Sequence, residues 1–355
     1  MKPPIAFRPA ARRDLADCAL IWYAAVDEYM ARLNRPLPPP YLDPLLGLLD
    51  HLLVTDPERF VLAVRPASPA SENQRTDRTV GFGIAVQREH VWFLSQLYVL
   101  PEDQRSGIGR ALLAQVMPSI DQAPAEDATV QARRDGIMAT CTDSAQPASN
   151  GLYARHGIVP RVPVFNLVGT PSARPQLPPL PVGIAAVAID TRGPRASRVA
   201  LGRTVPVGAG ESEPATTGSL GTPTGIDRAI DELDRQVLGY SHPIDHAFLR
   251  SSGRTGFVYV TADGSPVAYG YSSEVGRFGP VAVLDETLTA PVIGHLMASI
   301  RPRGATSAWI PGANDRAMVA LLRAGLRIEG FPAQLCWTRP FAAFERYVPA
   351  SLALL

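Results

Sequence analysis

Val91-Trp92-Phe93-Leu94-Ser95-Gln96-Leu97-Tyr98-Val99-Leu100 runs into Pro101-Glu102-Asp103-Gln104-Arg105-Ser106-Gly107-Ile108-Gly109-Arg110-Ala111-Leu112-Leu113. The first ten residues are β-branched, aromatic and nearly all apolar, which predicts a strand buried on both faces and central in its sheet. Pro101 ends the strand, a polar loop follows, and Gly107-Ile108-Gly109 opens a helix over residues 110–117. The first N–H groups of a helix have no partner within it, and the helix dipole adds partial positive charge at the same place. Glycines there let another backbone or an anion come close without a Cβ in the way. The junction therefore predicts a cradle for a diphosphate.

Two other phosphate loops fail at named positions. A Walker A loop needs Gly-Lys-Ser/Thr, and Gly109 is followed by Arg110-Ala111. The dinucleotide fingerprint GxGxxG needs a third glycine where Leu112 stands.

Working outward, residues 5–8 read as a strand and residues 15–33 as an amphipathic helix, ended by Asn34-Arg35-Pro36. A second helix is expected over 41–54, then strands over 60–64 and 80–86. Beyond the central stretch come a strand over 136–142, a short helix over 147–156 ended by Gly157, and a strand over 159–168. Residues 170–181 are dense in proline and predict a stiff linker. Residues 206–225, rich in Gly, Ser, Thr and Pro, predict a mobile loop. From Ile226 the succession resumes: helix 226–238, strands 257–260, 267–271 and 281–284, helix 291–300, strand 307–310, helix 315–324, strand 334–338. The second half repeats the order of elements in the first, giving domains over 1–170 and 182–355 joined by 171–181.

Hydrophobic residues make up 46% and charged ones 19%, the balance of a well-buried globular protein. A net charge of +1 without long charged blocks gives no electrostatic support for binding nucleic acid or a membrane surface. Lys2 is the only lysine, so no internal lysine is present for a Schiff base. Cys18, Cys141 and Cys336 are odd in number and form no CxxC pair, so neither a disulfide framework nor a metal site is expected. Met1-Lys2-Pro3-Pro4-Ile5 begins no signal-length apolar stretch, and no run of about 18 apolar residues occurs. A soluble cytoplasmic protein is the expectation.

The pattern [Q/R]-x-x-G-x-[G/A] at Gln104–Gly109, preceded by Leu97-Tyr98-Val99-Leu100-Pro101-Glu102 and followed by Arg110-Ala111-Leu112-Leu113, resembles the pyrophosphate loop of the GNAT superfamily of N-acetyltransferases. Asn150-Gly151-Leu152-Tyr153-Ala154-Arg155-His156-Gly157 resembles the same family's N-x-x-Y-x-x-x-G helix. The resemblance implies an α/β (α+β) fold with a mixed central sheet flanked by helices, and acetyl-CoA as co-substrate without a metal. It implies that the strand at Leu97, Tyr98 and Val99 pairs with the pantetheine arm through Leu97 and Val99. Gln104, Arg105, Ser106, Gly107, Ile108, Gly109 and Arg110 would form the pyrophosphate loop. Asn150 would contact the pantetheine arm, and Tyr153 would act as general acid to the thiolate. The implied acceptor is a primary amine of a small molecule, acted on by a monomer or homodimer. Transfer of another acyl group, and a non-catalytic CoA-binding sensor or scaffold, stay open.

One branch of the family uses a glutamate on the fourth strand as base, and that position is Phe93, which accepts no proton. Ser95, Gln96, Glu89, His90, Asp27 and Glu28 remain, each as readily structural as catalytic. Cys141 reads as a small buried thiol. Sliding Leu97–Leu100 onto Val281–Leu284 places Pro291 against Gly107, Ile293 against Gly109, and Thr289 and Gly294 against the basic residues. Aligning Gly157 with Gly325 puts Leu321 where Tyr153 stands. The expectation is two tandem GNAT-like domains, the C-terminal one degenerate.

Overall fold

The computed structural model describes residues 4–67, 77–118, 136–172, 177–189 and 223–355. The chain divides into two compact units, Met1–Arg161 with Gln334–Pro340, and Val162–Ala333 with Phe341–Leu355. Both are mixed α/β.

The first unit contains β1 (Ala6–Pro9), α1 (Leu15–Arg32), α2 (Asp43–Thr55), β2 (Phe60–Arg65), β3 (Arg78–Arg88), β4 (Val91–Val99), α3 (Ile108–Val116), β5 (Ile137–Asp143) and α4 (Pro147–Ala154). Its strands follow the order β1-β2-β3-β4-β5. The pairs are antiparallel except β4 with β5, which is parallel. The end of a later strand, β12 (Arg327–Trp337), comes next to β5. There Thr338 N–H donates to Met138 O at 2.9 Å. Residues 334–340 thus complete the first unit's sheet, although their sequence position is among the second half's elements.

Alternation along β3 sorts the two faces of this sheet. Gly81 and Gly83 face α3: a Cβ at Gly81 would meet Leu112 Cδ1 at 3.3 Å, and one at Gly83 would meet Leu112 Cβ and Val116 Cγ1 at 3.6 Å. Bare backbone at these positions lets α3 settle onto the strands. Phe82 and Ile84 point the other way, and Phe82 packs at a tilt against Tyr98, itself edge-to-face with Trp22 of α1. Helix α1 buries Leu15, Cys18, Ala19, Ile21, Ala25 and Tyr29, one stripe at helical spacing. Trp92 is buried on the α3 side and its Nε1–H donates to Val116 O at 3.0 Å, capping the last turn of α3.

The second unit takes Val162–Gly169 of β6 (Val159–Gly169) and holds β7 (Ala185–Ile189), α5 (Pro223–Val237), α6 (Pro243–Ser251), β8 (Thr255–Val260), β9 (Pro266–Ser272), β10 (Val281–Val283), α7 (Thr289–Ser299), β11 (Thr306–Pro311), α8 (Asp315–Arg323) and β13 (Tyr347–Val348). One antiparallel sheet has the order β13-β10-β9-β8-β7. Beside it, β6 pairs antiparallel with β11. The core gathers Val281, Val283, Val292, Ile293, Leu296, Ile310, Leu321 and Leu326.

The sequence reading misses β7, α6 and β13. Of the loop expected over 206–225, residues 206–222 lie outside the described residues, and α5 begins at Pro223. Of the proline-dense stretch, 173–176 lie outside them, while Leu177 and Leu180 pack on the second unit's core. No helix among the described residues is long and apolar enough to cross a membrane.

Candidate active site

The site begins with a defect in β4. Its register against β3 steps from Ile84–Gln96 to Ala85–Leu94, so Ser95 is an extra residue, a β-bulge. On the other side, the parallel ladder with β5 runs from Val91–Ile137 to Leu94–Thr140 and stops. Thr140 Oγ1–H donates to Leu94 O at 2.9 Å at that last rung. Past the bulge, β4 and β5 are no longer paired.

Which backbone groups face the gap follows from antiparallel geometry. Leu100 N–H donates to Val80 O at 2.8 Å, in a register that sets Gly81 opposite Val99. Gly81–Val99 is then a non-hydrogen-bonded pair, so Val99 directs its N–H and C=O away from β3. Leu97, two residues earlier and opposite Gly83, does the same. Tyr98 lies between them and bonds to β3. The edge at Leu97 and Val99 is the kind onto which an extended amide-bearing chain adds as another strand.

The loop after β4 is fastened from beneath. A buried ion pair, Arg65 Nη2 to Asp103 Oδ1 at 2.6 Å, ties it to β2. Ser106 Oγ–H donates to Asp103 O at 2.5 Å, and Gln104 Nε2–H donates to Val99 O at 3.0 Å. Arg105 and Gly107 are left-handed, with φ of 59° and 89°. Left-handed residues alternating with ordinary ones turn successive N–H groups to one side, forming an anion-binding concavity. It leads directly into α3, whose first turn carries no side-chain cap. A Cβ at Gly107 would meet nothing within 4 Å, and one at Gly109 only Val99 Cγ2 at 4.0 Å, so the concavity is open.

Helix α4 brings the second motif. Asn150 Nδ2 donates to Asp143 O at 2.9 Å and Gln146 O at 2.8 Å, fixing the side chain to the end of β5. Its Oδ1 is buried and without a hydrogen-bond partner, an acceptor left for an amide or hydroxyl donor. Tyr153 is buried in the α3-side core with Trp92, Leu113 and Cys336. Burial, reinforced by Tyr98 and Cys336, pushes its hydroxyl well above the ordinary tyrosine range. Tyr98 is pushed up to about 12, chiefly by burial, with Asp143 and Cys141 adding to it against Trp22.

The base candidates scatter. Glu89 and His90 are exposed in the turn before β4, separated from Leu97 by about 20 Å of strand. Asp27 accepts from Leu37 N–H at 3.1 Å and shapes the turn after α1. Glu28 pairs with Arg32 at 3.1 Å on the helix surface. Phe93 is buried, and Gln96 is buried with an unpaired Oε1 beside the bulge. Sequence reasoning missed Tyr29 and Asp143. Burial first, and then Asp143, raises the Tyr29 hydroxyl. The Asp143 charge thus raises aromatic hydroxyls on both α1 and β4. Its position at the end of β5, just before the Pro147 helix, was the available signal. Cys141 is a free, half-buried thiol whose pKa burial raises.

The corresponding junction in the second unit is built differently. After β10, Asp285 Oδ1 accepts from Thr287 N–H at 2.8 Å, and no residue between 281 and 299 is left-handed. Pro291 and Ile293 are buried in α7. A Cβ at Gly294 would meet Leu177 Cβ at 3.0 Å and Pro178 O at 3.4 Å, so the chain's own segment covers that turn. Leu321 is fully buried.

A family profile described as "Acetyltransferase (GNAT) domain" matches residues 61–158. A Pyrococcus horikoshii structure assigned as an acetyltransferase is similar over 99% of this chain and 96% of its own, at 14% identity and a TM-score of 0.62. A GCN5-related N-acetyltransferase from Sphaerobacter thermophilus is similar over 96% of this chain and 98% of its own, at 17% identity and a TM-score of 0.54. At such identities these two likenesses speak for the fold. No curated protein matches the sequence significantly. The matched residues span the β4 bulge, the loop into α3 and the Asn150–Tyr153 helix, and the chain carries a GNAT acetyltransferase domain over residues 61–158.

Proposed function

We propose that the chain is an acetyl-CoA-dependent N-acetyltransferase acting on a primary amine of a small molecule. The observation that carries this is the separation of β4 from β5 after Leu94–Thr140, directly beside a loop with two left-handed residues at a helix start. The edge at Leu97 and Val99 suits the two amides of a pantetheine arm. The N–H groups from Arg105 to Arg110 suit a diphosphate, and Gln104 holds the loop against Val99. Asn150 Oδ1 offers an acceptor to the arm. Bound acetyl-CoA supplies an activated thioester.

The residues around the gap handle protons. Tyr153 keeps its hydroxyl proton at neutral pH because burial disfavours the phenolate. In the transfer, the amine nitrogen bonds to the acetyl carbon, the C–S bond breaks, and Tyr153 gives its proton to the departing sulfur. The surplus proton on nitrogen passes through water to solvent. Tyr98 and Trp22 wall the acceptor side, which favours a short acyl group.

The second unit, with Pro291 and Ile293 buried and Leu177–Pro178 over its helix start, we read as a degenerate partner that binds no acetyl-CoA. The tandem arrangement belongs to the same proposal, its units parting after Arg161 and around residues 334–340 where a linker was expected at 171–181, as does a reducing, cytoplasmic setting for three free cysteines. A thiol-release assay with acetyl-CoA across an amine panel tests the reading, with Tyr153→Phe as the paired variant. Release with one amine class, lost in Tyr153→Phe, supports it. Acetyl-CoA binding without release by any amine favours a CoA sensor, and release only with longer acyl-CoA favours a different acyl donor.

A further inference from the structure

The second unit encloses a cluster that the acetyltransferase reading does not use. Asp234 of α5, His242 at the N-cap of α6 and His246 in its first turns are each at most 1% exposed. Their ligand atoms all lie within 4.8 Å of one another. We propose that Asp234, His242 and His246 hold a divalent transition-metal ion of the zinc class, with a structural role in joining α5 to α6.

The distances suit such an ion. His246 Nε2 lies 2.9 Å and His242 Nε2 3.2 Å from Asp234 Oδ2. Ligands about 2.0–2.1 Å from a tetrahedral ion are about 3.3 Å apart. The spacing of the histidines, four residues apart at a helix start, puts both rings on one face.

The surroundings orient each ligand. Tyr269 Oη–H donates to Asp234 Oδ1 at 2.6 Å, leaving Oδ2 toward the imidazoles. Asp245 Oδ2 lies 3.6 Å from His242 Nδ1, so the other nitrogen of that ring is turned to Asp234. A carboxylate behind a histidine and a donor behind a carboxylate are the usual outer partners of metal ligands. His246 Nε2 and Asp234 Oδ2 share a hydrogen bond at 2.9 Å, yet other buried polar atoms of the cluster are left without one. Neither nitrogen of His242 makes a hydrogen bond among the described residues, nor does His246 Nδ1 or the hydroxyl of Tyr271 stacked on His246. Asp234 and Asp245 bring two buried carboxylates, while Arg250 of α6 is paired with Asp227 at 3.0 Å. One divalent cation balances two carboxylates and two neutral imidazoles. Imidazole nitrogens select zinc-like ions over Mg²⁺ and Ca²⁺, which prefer oxygen.

The test uses the full chain, stripped with a chelator and titrated with Zn²⁺, Co²⁺ and Mg²⁺. The expected result is a single tight Zn²⁺ per chain, Co²⁺ visible bands of tetrahedral type that Zn²⁺ displaces, a higher melting temperature with Zn²⁺, and no response to Mg²⁺. His246→Ala should abolish binding. Tyr269→Phe keeps every ligand and should weaken Zn²⁺ roughly 10- to 100-fold, which keeps the test decisive if His246→Ala does not fold. Absence of saturable Zn²⁺ binding by the unmodified chain overturns the proposal. So does Zn²⁺ binding of unchanged affinity in both variants, which would place the ion elsewhere, as on the cysteines. Both outcomes are independent of the acetyltransferase reading, since neither measures acyl transfer.

Discussion

Replacing Gly107 by alanine separates the loop's stability from its capacity to hold a diphosphate. Gly107 has φ of 89°, and an added Cβ would meet nothing within 4 Å, so no clash arises. The cost is conformational: an L-residue held left-handed is less stable by about 1–2 kcal/mol. In a unit of this size each kcal/mol corresponds to about 2–4 °C in Tm, so a fall of a few degrees is expected. Relaxing that strain rotates the chain out of the left-handed region and turns an N–H away from the concavity. A hydrogen bond to a charged oxygen contributes about 1.5–3 kcal/mol, so CoA should bind roughly ten- to a hundredfold more weakly. Calorimetric titration with CoA reads the affinity, and a melting curve without ligand reads the strain. Gly151→Ala is the control, because Gly151 sits in α4 with φ in the ordinary range and open space around it; its CoA affinity should be unchanged. If Gly107→Ala melts lower yet binds CoA as tightly as the parent chain, the loop does not hold the diphosphate and the reasoning fails.

Three further outcomes are expected. Tyr153→Phe should lower kcat about 10²–10⁴-fold with little change in CoA affinity. Because burial raises the Tyr153 pKa, the acid form persists, and kcat should show no fall from this group below the ordinary tyrosine value of about 10; a loss of rate between pH 7 and about 9 that disappears in Tyr153→Phe argues against it. Arg65→Met removes the cation facing the buried Asp103 carboxylate and should cost about 3–5 kcal/mol in denaturant unfolding, whereas Arg65→Met combined with Asp103→Leu should cost less. Arg8, bonded to both oxygens of Asp14, holds that carboxyl below its usual range. Its contribution is therefore present above the unfolded value of about 3.9 and lost as pH falls through the lower folded value. Asp14→Asn should lower Tm at neutral pH and show a shallower loss of Tm in acid than the parent.

The local features were legible because local chemistry makes them. The apolar run of β4, the two glycines before α3, the stripe of α1 and the left-handed Gly157 after α4 each follow from neighbours within a few residues. The apolar run placed Leu97 and Val99 on a strand and the resemblance assigned them to the pantetheine arm, but the reason their backbone groups face the gap is the extra Ser95. A bulge is invisible in a run whose apolar residues fill both faces. Asp143 escaped notice because its relation to Tyr29 and Tyr98 depends on three separate elements meeting. Residues 334–338 read as a strand of the second half, yet the bond between Thr338 and Met138 joins positions 200 apart. No periodicity records such a pairing. Helix α6 was hidden by its polar, histidine-bearing start at His242-Pro243, and with it the cluster around Asp234. A search for cysteine pairs passes over a site made of one aspartate and two histidines.

The most direct test of the central claim is a calorimetric titration of the unmodified chain with acetyl-CoA, repeated on a variant carrying both Gly107→Ala and Asn150→Ala. The account predicts saturable binding of a single acetyl-CoA per chain, severely weakened in the double variant while the fold, followed by circular dichroism, is kept. No saturable binding to the unmodified chain, or unchanged binding in the folded double variant, contradicts it.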